Sequence, residues 1–425
     1  MKVGNLLIGL GLFALTATDA LASNQVEYIV KLKSGAKSLT FNKSVQSSKP
    51  LETTFGQFYV VKSAANADKE NFVQDFTNDP NVEYIEPNYE YHLIEDVNES
   101  SESELPFLLA GGDPRESEQW ALPFLNAQKA WTMTQGSSDI VVAVLDSGIY
   151  YDHLDLQKNM WVNEAEKNGK AGVDDDGNAY IDDVYGYNFA YGNSTPKDGD
   201  GHGSHCAGVI GATHNNGEGI KGLNANVRLM AVQITYVGGG TTLDKILLGI
   251  DYAIKMKADI MTNSWGGMAN SQALKEAIAA VGTAGIPFVV ASSNEKRNID
   301  SSPSYPASYK LDNMIVVGAH DKNSVMASFS NWGSGTVDIM APGVDILSTV
   351  NYTDWRPYWY RLSSGTSMAT PIVAGAVALL FAKEGKLPAS VVRERLIRTS
   401  RNAAKFSGKS KGGTMDLANF LSNGR

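Results

Sequence analysis

Residues 140–148 read Ile-Val-Val-Ala-Val-Leu-Asp-Ser-Gly, and this stretch decides the fold. Six apolar residues in succession, Ile140 to Leu145, describe a strand covered on both faces, as in a parallel sheet. Similar runs recur at Arg228–Ile234, Ile260–Asn263, Pro287–Ala291 and Met314–Gly318. Helical spacing fills the gaps at His202–Ala212, Leu243–Lys257 and Gln272–Ala284. This alternation predicts an α/β domain from Gln119 to Arg425, a doubly wound and mostly parallel sheet. Ligands of such sheets gather at the carboxyl ends of the strands.

Those ends carry reactive residues. The 140–145 strand runs into Asp146, and the 287–291 strand into Ser292-Ser293-Asn294. One helix starts at His202, within Asp200-Gly-His-Gly-Ser-His205. Another starts at Ser367, within Gly365-Thr-Ser-Met-Ala-Thr-Pro371. A serine hydroxyl needs a base to become a nucleophile, and histidine is the natural base near neutral pH. A carboxylate on the other ring nitrogen fixes the tautomer and stabilises the imidazolium. The Asn294 amide and the Ser367 N–H, at the positive end of a helix dipole, supply oxyanion donors.

Outward from this domain the chain changes character. Ser23 to about Ile94 reads as a small α+β unit, with strands at Glu27–Lys33, Gln57–Lys62 and Val82–Pro87 and a helix at Lys69–Phe76. Residues 95–118 hold eight acidic residues and one basic residue, Arg115. Self-repulsion and low β-propensity make this a linker, the kind of segment proteases cut. At the N-terminus, Lys2, the apolar run Leu6–Leu15 and Ala20-Leu21-Ala22 form a secretory signal spanning residues 1–22. The run is too short to cross a bilayer, so the expected product is exported and free of membrane.

Composition agrees with a folded, exported protein. The 425 residues are 43% hydrophobic and 19% charged, with a formal net charge of −10. The acidic balance disfavours nucleic acid as a partner. One cysteine, Cys206, allows no intrachain disulfide, so stability must come from packing or bound metal.

Four motifs together resemble the subtilisin-type serine proteases, the subtilases: Val142–Gly148, His202–Gly208, Ala291–Asn294 and Gly365–Pro371. The order Asp, His, Ser is also theirs. The resemblance implies Ser367 as nucleophile, His202 as general base and acid, Asp146 as its orienting carboxylate, and Asn294 in the oxyanion hole. Ser23–Ile94 resembles the family's inhibitory propeptide, which implies a zymogen that cuts itself near Ile94 and is trimmed towards Asp113. Two positions depart from the pattern: Ser293, where glycine is usual, and Ser147, where threonine is common.

By the same resemblance, Ser264, Trp265 and Gly266 lie on one strand beside substrate, and Gly238 and Gly239 on the opposing one. An extended peptide would add between them as a strand, with Ser304 at the floor of the first pocket. Cys206 is expected to be a buried, inert thiol and His205 to be structural.

Calcium is expected at two places. Asp174, Asp176 and Asn178 alternate like ligands 1, 3 and 5 of a calcium loop, followed by the Tyr180 carbonyl and Asp182 or Asp183. The loop lacks the glycine and glutamate of an EF-hand. Resemblance implies a second set from Gln119, Asp155 and Asn216, completed by the carbonyls of His214, Glu218 and Ile220.

Three other readings account for less of the sequence. A catalytically silent subtilase-like peptide-binding protein would not need all four chemical positions filled. A calcium-binding protein does not explain signal, propeptide-like unit and linker in zymogen order. An esterase would carry Gly-x-Ser-x-Gly around its serine, absent at Ser367. The expected product is a monomeric secreted endopeptidase acting on proteins and peptides.

Overall fold

The computed structural model describes residues 26–94, 96–97, 112–351 and 359–424, except positions 37, 40 and 42. The signal segment 1–22 and most of the acidic linker lie outside the described residues.

The first unit is an antiparallel sheet of β1 (Glu27–Leu32), β2 (Val45–Thr53), β3 (Gly56–Ser63) and β4 (Val82–Pro87), ordered β2-β3-β1-β4, with helix α1 (Lys69–Thr77). Tyr28, Val30, Phe72 and Phe76 form its own small core. The opposite face of the sheet puts Ile29, Leu51 and Phe58 into the core of the second unit. Strand β5 (Glu90–Leu93) leaves this sheet for the second unit.

The second unit begins with α2 (Ala121–Phe124) and α3 (Ala127–Trp131). Its strands are β6 (Gly136–Asp146), β7 (Gly186–Asn188), β8 (Asn226–Gln233), β10 (Ile260–Asn263), β12 (Phe288–Ala291), β13 (Met314–His320) and β14 (Ile339–Pro342). They form one parallel sheet ordered β14-β13-β12-β10-β6-β8-β7. Short strands β9 (Gly240–Thr242) and β11 (Trp265–Gly266) flank β5, and β15 (Ile346–Thr349) pairs with β16 (Tyr360–Ser363). The helices are α4 (Glu164–Asn168), α5 (His202–Gly211), α6 (Leu243–Lys255), α7 (Gln272–Thr283), α8 (Thr366–Glu384), α9 (Ala389–Thr399) and α10 (Leu417–Ser422). The predicted doubly wound sheet is therefore present.

Helix α8 is apolar all round and 89% buried over its central window, a core helix rather than a membrane span. It packs with α5 beneath the β6–β10–β12–β13 sheet. This fixes the first turns of two helices at the ends of adjacent strands. Pro371 lies inside α8, one turn past its start, where its missing N–H leaves the Ser367 carbonyl without a helical donor; Ser264 Oγ donates to that carbonyl instead, at 3.0 Å.

The two units share helix ends. Glu86 accepts bonds from Gln272 N and Ala273 N at the start of α7, and Asn88 Oδ1 accepts from Asp244 N at the start of α6. Both satisfy amides that have no helical partner. The far end of the expected linker is folded: Asp113 accepts from Asn215 N and Asn216 N, and Lys221 reaches Glu116 at 2.7 Å. Donors on the 214–221 loop overcome the self-repulsion that makes this segment read as linker.

Candidate active site

Asp146 ends β6 and is buried. Its Oδ1 lies 2.7 Å from His202 Nδ1 and also accepts the Ser147 N–H. His202 opens α5, and the approach needs a glycine behind it. A Cβ built on Gly203 would stand 2.1 Å from the Gly148 carbonyl oxygen, so a larger residue would push α5 away from Asp146. Burial pushes the His202 imidazolium down, but the carboxylates of Asp146, Asp96 and Asp200 outweigh it and hold the pKa at about 9. His202 Nε2 is buried without a hydrogen-bond partner among the described residues.

Two serines lie near this pair, and their hydroxyls differ. Ser147 Oγ donates to buried Asp198 at 2.9 Å and accepts from Gly203 N. It is committed to holding the start of α5. Ser367 is fully buried in the first turn of α8, and its Oγ donates to the carbonyl oxygen of Ile94 at 2.9 Å. Ser367 is the serine that faces a peptide carbonyl.

Asn294 follows β12. Its Oδ1 accepts from Thr366 N and Thr366 Oγ1, which turns Nδ2 the other way, towards Gly365. A Cβ on Gly365 would come within 3.1 Å of that nitrogen. Ser293 takes φ 80°, the left-handed conformation its usual glycine would adopt freely. The serine therefore keeps the backbone turn at a local conformational cost, with Asn331 N bonding its carbonyl and Ser304 Oγ its hydroxyl.

The chain's own β5 fills the cleft. It pairs antiparallel with β11, Trp265 opposite Leu93 and Gly266 opposite His92. On its other edge it pairs with β9, through Thr242, Thr241 and Gly240. Leu93 N donates to Gly239 O, and Ile94 N to Ser264 O. Of the sequence candidates, Ser264, Trp265, Gly266 and Gly239 thus meet residues 92–94. Gly238 does not: it sits one step earlier in an exposed turn, and Gly240 and Thr241 take the pairing role. A three-residue strand carries too little pattern to fix its register from sequence. Ser304 is buried beside Ser293. Tyr91 is wholly buried, edge-on to Trp265 at 6.0 Å. Beyond Ile94, Val97 N donates to Ser364 O and Asp96 pairs with Arg361 at 2.9 Å.

Cys206 is buried, its thiol pushed well above the ordinary range by burial and then by nearby carboxylates. His205 Nε2 bonds the carbonyls of Ile346 and Arg361, and burial holds its pKa down at about 4. Both fit structural roles.

The acidic loop gathers differently from its sequence reading. Asp176 and Asp183 converge with Glu166, each offering an oxygen within 4.8 Å of the others. Glu166 lies in α4, outside the alternating run, so no local spacing reveals it. Its oxygens accept from Asp175 N, Asp176 N and Asp182 N. Asp174 instead turns to the N–H groups of Gly177, Asn178 and Ala179. Asn178 bridges Asp176 and Asp183, and the Tyr180 ring packs on Tyr187 and Tyr252. Burial pushes Asp183 up to about 6. This donor set of hard oxygens fits a cation such as Ca²⁺.

At the second set, Asp155 is buried and pushed up to about 6, first by burial. It accepts from Asn216, Ile220 N and Tyr360. Gln119 spends both amide atoms on the backbone of Lys221, so the structure brings Asp155 and Asn216 together but turns Gln119 to the neighbouring residue.

Comparison with known proteins agrees with this geometry. The family model described as the subtilase family, Peptidase_S8, matches residues 137–416. Subtilisin DY of Bacillus licheniformis is 34% identical over 284 residues, 67% of this chain and 91% of that protein. Subtilisin amylosacchariticus of Bacillus subtilis subsp. amylosacchariticus is 33% identical over 382 residues, 89% of this chain and 86% of that protein. The crystal structure of fervidolysin from Fervidobacterium pennivorans, titled a keratinolytic enzyme related to subtilisin, shares the fold, with a TM-score of 0.71 and 24% identity. The match covers 94% of this chain and 61% of the fervidolysin chain. With its parallel sheet, its Asp–His pair and these relatives, the chain belongs to the subtilase family of serine endopeptidases.

Proposed function

We propose that the chain is a secreted zymogen that cuts itself after Ile94, with Ser367 as nucleophile. The observation that carries this reading is the 2.9 Å contact between Ser367 Oγ and the Ile94 carbonyl, at the end of a strand lying in the cleft. Ser367 attacks the Ile94 carbonyl carbon while His202 Nε2 takes the hydroxyl proton. Asp146 holds the tautomer and stabilises the imidazolium. The oxyanion is met by Asn294 Nδ2 and the Ser367 N–H, at the positive end of α8. In subtilisin itself, losing one such donor costs roughly 10²–10³ in rate. His202 then gives its proton to the departing amine of Glu95, and water hydrolyses the acyl-enzyme.

The domain reading follows: residues 1–22 direct export, 23–94 are the propeptide, 95–118 carry the maturation sites, and the rest is the catalytic domain. Before cleavage β5 blocks the cleft, and after it the same strand remains a product-like inhibitor until degraded. The mature enzyme acts on proteins and peptides as a monomer. A calcium ion at Glu166, Asp176 and Asp183 would neutralise the loop's carboxylates and stiffen it, with no part in the chemistry.

A fluorophosphonate probe tests the nucleophile directly. It should add its mass to the peptide containing Ser367 in matured wild type, and pretreatment should stop casein hydrolysis. Label on any other serine, or casein cleavage that survives full labelling, contradicts the reading.

A further inference from the structure

We propose that Arg361 makes the leaving-group side of the cleft a binding site for a carboxylate, so that the matured enzyme prefers substrates with Asp or Glu at the second residue after the cut bond. The proposal rests on the reading of Ser367 as nucleophile and of Ile94–Glu95 as the bond cut.

The geometry points to recognition rather than an incidental surface pair. Asp96 is the second residue past Ile94, and its carboxylate meets the Arg361 guanidinium at 2.9 Å. The side chains are only 8% and 7% exposed, for Arg361 and Asp96 respectively. Surface ion pairs contribute little, whereas charges held out of water interact strongly. The contact is also framed by backbone. Val97 N donates to Ser364 O at 2.8 Å, so the chain stays docked beyond the cut bond, next to the residues that lead into Ser367.

Arg361 is held for this task by the fold. It lies on β16, paired with β15 opposite Ser348. Its carbonyl accepts from His205 Nε2 on α5, the helix that carries His202. Its Nε donates to Ser363 Oγ. The Arg361 backbone is thus tied to α5, and its guanidinium is steadied from within β16.

Maturation removes Asp96 from the cleft and leaves the cation in place. An incoming peptide with a carboxylate at that position restores the pair. An amide or apolar side chain leaves the guanidinium with a weaker partner, which the enzyme pays for in the acylation step. Deacylation is indifferent, because the leaving-side residues have already departed.

The test uses enzyme matured from the full chain and two quenched-fluorescence peptides. Both carry Tyr-His-Leu-Ile before the cut bond and differ only in Asp or Asn at the second residue after it. The Asp peptide is expected to show a kcat/KM higher by roughly 10–100-fold, the scale of a charge-assisted hydrogen bond. Arg361→Gln should bring the ratio close to one, and Arg361→Glu should shift preference to Lys. The wild-type ratio decides even where a variant fails to mature. An ester of the same acyl group, with no residue on the leaving side, separates the two readings. If wild type hydrolyses the ester and cuts both peptides equally, the Arg361 proposal is overturned and the Ser367 reading stands. If it hydrolyses none of the three, both fall.

Discussion

Two clusters of carboxylates in this molecule each hold a deeply buried aspartate, Asp146 in one and Asp183 in the other, and they are balanced in different ways. Asp146 faces His202, whose imidazole is held at about 9 by that carboxylate and its acidic neighbours. The cation is built into the site and becomes available when a proton must be moved. Asp183 is equally buried, but it is met by the neutral donors of Tyr252, Asn163 and Asn178, with the carboxylates of Glu166 and Asp176 beside it. Neutral donors ease desolvation without cancelling charge. The first cluster is built to do chemistry with its own charge pair, whereas the second accumulates negative charge that an outside cation would neutralise.

The comparison breaks most sharply at Asp146. Asp146→Asn keeps the shape but loses the charge and the tautomer control, and should slow self-cleavage by roughly 10⁴. A loss of less than tenfold, measured by the rate at which the precursor mass disappears, would mean His202 does not depend on this partner.

At the second cluster the matching change is Asp183→Asn. Calcium at about a hundred times its dissociation constant should stabilise the inactive Ser367→Ala protein by about 2.7 kcal/mol. Adding Asp183→Asn should remove most of that gain. Equal melting temperatures with calcium and with chelator, by calorimetry, would sink the assignment of an ion to this loop.

A pH profile sharpens the first cluster. The base must be neutral, and a pKa of about 9 leaves it mostly protonated at lower pH. Self-cleavage should therefore rise about tenfold per unit as pH climbs towards about 9, then level off. Asp96 is one of the charges holding that pKa up, so Asp96→Asn should move the rising limb to lower pH. A flat profile would contradict the charge pair drawn here.

The smallest effect is expected at Ser293. A side chain in the left-handed region costs about 1–2 kcal/mol, while glycine adds about 0.5–1 kcal/mol of entropy to the unfolded chain. Ser293→Gly should thus change stability by no more than about 1.5 kcal/mol, in the stabilising direction. A clear loss in denaturant melts would show that the serine hydroxyl matters more than the backbone.

Sequence reading succeeded where burial is two-sided. Strands β6, β8, β10, β12 and β13 are apolar runs that only a covered parallel sheet uses, and each is fully or largely buried. The motifs around Asp146, His202, Ser367 and Asn294 sit at their ends, so fold and chemistry are legible together. Strand β2 was not, because Val-Gln-Ser-Ser-Lys-Pro-Leu-Glu-Thr is mostly exposed and is held by pairing to β3 rather than by its own pattern. Strands β7, β9 and β11 have two or three residues each, too few for any period. Glu166 lies on α4 just ahead of the acidic run, outside its alternating pattern, and Arg361 reaches Asp96 from a distant segment, so only the folded packing brings either to its site.

The central claim is that Ser367 cuts the chain whose Ile94 carbonyl it touches. Intact mass over time, comparing purified wild type with Ser367→Ala, tests it most directly. Wild type should split first at the Ile94–Glu95 bond, giving a fragment ending in Ile94, while the variant stays whole. Cleavage of both proteins at the same place and rate would contradict the account, as would a wild-type chain that stays whole while matured enzyme hydrolyses other proteins.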